Sequence, residues 1–155
     1  MPFRITGLDP APFIPLYGLD TAELRRRGVQ RCTADSKPGY PDRIELRDVE
    51  PGESLLLLNH LHLPADNPYR SSHAIFVREG ALQAFDRVDE VPEVMRVRML
   101  SVRSFDGESM MLDAALVDGR QLEAALERLL APAAVRFLHV HYATRGCFAA
   151  RVERA

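Results

Sequence analysis

Two stretches of this sequence carry an apolar run directly into a His-x-His pair and then into a polar segment that holds an arginine. The first is SLLLLNHLHLPADNPYRSSHAIFVRE, Ser54 to Glu79, and the second is FLHVHYATRGCFAARVE, Phe137 to Glu153. Leu55 to Leu63 is apolar on both faces until Asn59 and the histidines, the pattern of a strand set centrally in a sheet. Residues i and i+2 of a strand share one face, about 6.5–7 Å apart. His60 and His62 therefore point together, as do His139 and His141, and four of the five histidines lie in these two pairs.

The rest of the chain supplies further short strands and two helices. Phe3 to Gly7 reads as a strand, and Pro10, Pro12 and Pro15 then forbid helix. Asp20 to Glu23 forms a capping box that opens a helix to Arg27, closed by Gly28. From Arg43, Ile44 and Leu46 alternate with Arg43, Glu45 and Arg47, which predicts a strand with one wet face. Glu50 to Glu53 is a proline-glycine turn, Pro64 to Pro68 a loop, and His73 to Arg78 another strand. Glu79 to Pro92 carries little pattern and is expected to be irregular, with room for a helical turn. Met95, Val97 and Met99 alternate with Arg96 and Arg98, which predicts a strand from Val94 to Val102. Asp106-Gly107 then turns the chain into Ser109 to Val117. A second capping box, Asp118 to Gln121, opens a helix to about Ala131 with Leu122, Ala125, Leu126 and Leu129 on one face. Val135 to Tyr142 and Cys147 to Val152 complete the strands. The expected fold is α+β, one domain over residues 1–155, with a largely antiparallel sheet and two main helices, Thr21 to Arg27 and Gly119 to Ala131.

Composition narrows the classes of function. A chain of 155 residues buries enough surface to need no disulfide or metal staple. Its two thiols, Cys32 and Cys147, are expected to be reduced, and no Cys-x-x-Cys or finger spacing points to structural zinc. The opening MPFRITGLDP lacks the pattern of a signal peptide, and no apolar run is long enough for a transmembrane helix, so the expected compartment is the cytoplasm. A net charge of -2, no tryptophan and dispersed arginines argue against nucleic acid as partner. Nineteen of the twenty basic residues are arginine. That bias suits anion binding through the guanidinium fork, and a GC-rich coding sequence produces it equally well.

The residues with the means for chemistry cluster in the two opening stretches. Tyr69, Arg70, Ser71 and His73 place a fork donor, hydroxyls and an imidazole at a loop-to-strand junction. Arg145 and Cys147 add a guanidinium and a thiol beside Gly146. A small anionic ligand held by Arg70 and Arg145 is the leading reading, with Tyr69, Ser71, His73 and His139 orienting it. His62 and His141 are the candidate acid and base. The competing reading makes these residues braces of the sheet in a non-catalytic interaction module, and a homodimer fits either. A His-ligated metalloenzyme is the third alternative. The expectation is no metal and no cofactor, since adjacent sequence assembles no closed three-ligand set. The cupin metal motif fails at its acidic position, where Asp66 stands, and its second motif is absent. The two-histidine phosphoesterase pattern lacks its hydroxyl partner, because His62 and His141 occupy that place.

The segments GYPDRIELRDVEPGESLLLLNHLHLPADNPYRSSHAIFVRE and FLHVHYATRGCFAARVERA resemble the bacterial family known as domain of unknown function 1203, and the likeness runs over nearly the whole chain. That resemblance implies no activity, cofactor or catalytic residue. It implies a frequent cysteine after GYP, where this chain has Asp42, so a thiol-pair mechanism at that place does not extend to this protein.

Overall fold

The apolar strands assemble into two antiparallel sheets. The computed structural model describes all 155 residues. In chain order the elements are β1 (Phe3–Thr6), α1 (Thr21–Arg26), β2 (Gln30–Thr33), β3 (Ser54–Leu63), β4 (Ser71–Arg78), β5 (Asp86–Val88), α2 (Glu93–Arg96), β6 (Met99–Phe105), β7 (Met111–Asp118), α3 (Leu122–Leu130), β8 (Phe137–Tyr142) and β9 (Phe148–Arg154). Six strands form one sheet in the order β5-β1-β9-β8-β6-β7, and three form the other in the order β2-β3-β4. No helix is long and apolar enough to cross a membrane.

β8 is buried along its whole length and sits near the centre of the larger sheet. Leu138, Val140 and Tyr142 face α3, whose Leu122, Leu126, Leu129 and Leu130 close the main core. Each such leucine contributes about 1.5–3 kcal/mol by leaving water. The alternate residues, Phe137, His139 and His141, face the smaller sheet. There Leu56 and Leu58 of β3 pack with Ile75 and Val77 of β4, and His60 and His62 continue the same face toward the open end. The α+β expectation holds in its mostly antiparallel form, with two sheets in place of one. Only α3 exceeds two turns. α1 is six residues long, since Asp20 caps it through Glu23 N but Leu24 is its single buried residue. An apolar face that small gives a helix little to pack against.

The segment between β2 and β3 departs most from expectation. Residues 43–47 form no strand, and Leu46 takes a left-handed φ of 52°. The alternation of Ile44 and Leu46 has another cause: Ile44 enters the core of the smaller sheet and Leu46 that of the larger one. Arg43, expected on a wet face, is fully buried. Its guanidinium donates to the carbonyls of Pro41 (2.6 Å) and Phe148 (2.8 Å) and to Sγ of Cys147 (3.0 Å), and it lies 5.0 Å from the Tyr142 ring. Asp42, also buried, accepts from the amides of Arg78 and Glu45. Asp42 and Arg43 thus tie β4 to the β8–β9 end of the larger sheet.

A second departure is the predicted strand at Val94. Val94 and Met95 are buried on the short helix α2, and the strand begins only at Met99. Glycine is required just beyond β7, because a Cβ on Gly119 would stand 1.7 Å from the carbonyl oxygen of Met95.

Candidate functional site

The two His-x-His pairs meet where the sheets face each other. The ring of His62 lies 5.0 Å from that of His141 and 5.9 Å from that of His139, edge-on to both, and stacks on Phe148 at 5.3 Å with an interplanar angle of 8°. His60, one step deeper, sits between Phe13 and Phe148 and does not reach the cavity. The geometry follows from the strands. Opposite His139 stand Arg103 on β6 and Arg151 on β9, and a bulge between Val140 and His141 sets Phe148 opposite His141. On the other sheet a bulge at His62 pairs Leu63 with Ser71, and Ser71 Oγ lies 2.8 Å from His62 Nε2.

A cavity of about 240 Å³ opens beside these rings. Its polar lining is His62, Tyr69, Arg70, Ser71, Arg103, His139 and His141, and Leu63, Pro68, Phe105 and Met111 close its apolar end. Asn67 holds the loop over it, donating from Nδ2 to the carbonyls of Glu108 and Ser109 and accepting from the Tyr69 amide.

Charge in this cavity comes from arginine alone. Burial pushes His62 and His141 down to about 4 and His139 to about 3, so all three imidazoles are neutral at pH 7. His141 donates from Nδ1 to the Gly146 carbonyl at 2.9 Å, which leaves its Nε2 a bare acceptor. His139 Nδ1 and His62 Nδ1 are buried without partners. Twelve of the nineteen arginines pair with carboxylates. Arg70 and Arg103 do not. Arg70 reaches only the Ala65 carbonyl at 3.4 Å, and Arg103 only Ser101 Oγ at 3.3 Å. Partial burial lowers the pKa of Arg103, the direction expected of a cation without a counter-ion.

Three expected site residues lie elsewhere. Arg145 is exposed in the turn between β8 and β9 and does not line the cavity, and Arg103 stands where a second guanidinium was expected. Cys147 packs in the main core and receives Arg43. His73 is half-buried on β4 opposite His60, does not line the cavity, and donates from Nδ1 to the Ala74 carbonyl. Arg103 escaped sequence reasoning because nothing in one sequence shows that β6 lies beside β8. The only signal was its place directly after the strand expected from Val94 to Val102.

A wider, open depression of about 610 Å³ lies between α2 and the end of β7. Its arginines are already neutralised, Arg96 by Glu123, Arg98 by Asp48 and Arg120 by Asp118. No group of three or more His, Cys, Asp and Glu side chains has the arrangement to hold a metal ion.

The family model described as "Protein of unknown function (DUF1203)" matches residues 39–154, and the chain belongs to that family. The matched range takes in the Arg43 segment, both His-x-His strands and every residue that lines the cavity. Comparison with curated proteins and with solved structures gives no match.

Proposed function

We propose that the cavity between the two sheets binds a small anionic ligand. The observation that carries this reading is the pair Arg70 and Arg103, two guanidinia without carboxylate partners in a cavity whose other polar groups are neutral. Arg103 is half-buried while Arg70 is exposed. A half-buried cation is stabilised by a counter-charge, and the chain supplies Arg103 with none. Guanidinium forks favour carboxylate or phosphate oxygens. Tyr69 and Ser71 offer hydroxyls to the same group, and the bare Nε2 of His141 accepts from a ligand hydroxyl. At about 240 Å³ the cavity is smaller than the roughly 300–1,000 Å³ of sites for drug-sized molecules. The ligand is therefore of metabolite size, with one anionic end and a short apolar end toward Phe105 and Met111.

The test is thermal stabilisation by a panel of small carboxylates and phosphates. A ligand at a hundred times its Kd adds about 2.7 kcal/mol, a rise of about 5–10 °C at this chain length. Arg103→Met and Arg70→Met should abolish that rise and leave the unliganded melting temperature within about 2 °C. If these residues only brace the sheets, the same substitutions lower the unliganded melting temperature and no panel member stabilises the wild type.

A further inference from the structure

Of the seven serines only Ser71 is hydrogen-bonded to an imidazole, and both partners line the cavity. The 2.8 Å between Ser71 Oγ and His62 Nε2 lies within the range for a nucleophile and its general base. A carboxylate does not orient this base. The ring is fixed instead by its stack on Phe148 and by the edges of His139 and His141. Arg70 and Arg103 bring spare N–H donors to the same space.

We propose that Ser71 and His62 form an acyl-transfer dyad that cleaves small carboxylic esters bearing an acidic group. This rests on the anion-binding reading above, with one arginine holding the acidic group and the other facing the ester carbonyl. Ser71 Oγ attacks the carbonyl carbon while His62 Nε2 takes the hydroxyl proton. The carbonyl electron pair moves onto oxygen, where a guanidinium N–H stabilises it. Collapse of the tetrahedral intermediate breaks the bond to the leaving oxygen, which takes the proton from His62 and departs as the alcohol. Water then attacks the acyl-serine, His62 removes its proton, and that proton returns to Ser71 Oγ as the acid leaves. Oxidant, reductant and metal are not needed for this balance. Burial keeps His62 neutral, with its acceptor lone pair available from about pH 5 upward. The same burial makes it a weak base, so turnover is slow and an activated reagent is the better probe.

The experiment is labelling of the full chain with an alkyl fluorophosphonate, followed by intact mass and peptide mapping. One phosphonyl adduct at Ser71 is expected on the wild type, which locates the nucleophile without any variant. Ser71→Ala should remove it, and His62→Gln should slow it about a hundredfold or more, each with a wild-type circular dichroism spectrum. The labelling rate should be flat between about pH 5.5 and 8. No adduct, or an adduct at another serine, overturns the dyad. If the stabilisation that depends on Arg70 and Arg103 persists in that case, the anion site stands alone; if it is absent too, both readings fall.

Discussion

Arg43 donates from Nη2 to Sγ of Cys147, 3.0 Å away, across 104 positions of sequence. The contact joins the loop before β3 to the start of β9 and lies wholly inside the protein. Tyr142 is held between two guanidinia, Arg43 and Arg98, each 5.0 Å from its ring, and Arg98 is in turn paired with Asp48 of the same loop. The loop thus acts as a clasp between the sheets, built from one buried cation and the groups that solvate it.

Removing that cation should be costly. Arg43→Met retains much of the bulk but leaves the Pro41 and Phe148 carbonyls buried without their donor, at about 1–3 kcal/mol each. The expected loss is about 3–5 kcal/mol, read as a lower urea midpoint at unchanged slope. Arg26→Met, which breaks only a surface pair with Glu23, should stay within about 0.5 kcal/mol. Equal effects of the two substitutions would show that the clasp does not hold the sheets together.

Gly119 allows a similar comparison at a backbone contact. A methyl carbon added there would stand 1.7 Å from the Met95 carbonyl oxygen, so no side chain fits without moving α2. Gly119→Ala should therefore lose more than about 3 kcal/mol, beyond the usual range of overpacking. Gly52 has a φ of 94° and open space around it, so Gly52→Ala carries only the left-handed penalty of about 1–2 kcal/mol. Thermal melts of the two variants should rank in that order, and the reverse order would mean that the α2 contact yields easily.

Sequence pattern revealed the parts of this fold that rest on local periodicity. The run from Leu55 to Leu63 and the strand ending at Tyr142 lie where their apolar runs placed them, and α3 follows its apolar face. Its expected capping box does not form: Asp118 caps a 3-10 turn, Gly119–Gln121, through Arg120 N, and the α-helix begins only at Leu122. The meeting of His62 with His139 and His141 was open in sequence, because two i, i+2 pairs fix a face and not a neighbour. Ile44 and Leu46 misled for a definite reason: two apolar residues two apart look like one strand face, and here each enters a different core. Arg43 was hidden by the same pattern, since burial of its guanidinium depends on a carbonyl and a sulfur more than a hundred residues away. Arg103 required the β6–β8 register, which no local signal carries.

The buried imidazoles make stability depend on pH in a window of their own. His62, His139 and His141 have native pKa values of about 4, 3 and 4, below the unfolded value of about 6.5. Between pH 6.5 and about 4 the unfolded chain therefore binds more protons than the native one, so stability rises with pH there. Their contribution is complete above pH 6.5 and is lost as pH falls toward 4. Glu53 and Glu79, held near 2 by Arg47 and Arg31, follow the same sign but act only below about 4.5, so they do not obscure the interval above it. Urea unfolding at pH 7.0, 6.0 and 5.0 should show a loss approaching about 1.4 kcal/mol per pH unit for each fully buried histidine. The more exposed His62 should contribute less. His139→Phe keeps an aromatic ring among Phe105, Phe137 and Phe148 and cannot titrate. It should flatten the slope by about one proton while leaving the stability at pH 7 within about 1.5 kcal/mol. A slope unchanged by this substitution would mean that His139 is protonated in the native protein or is not buried in it.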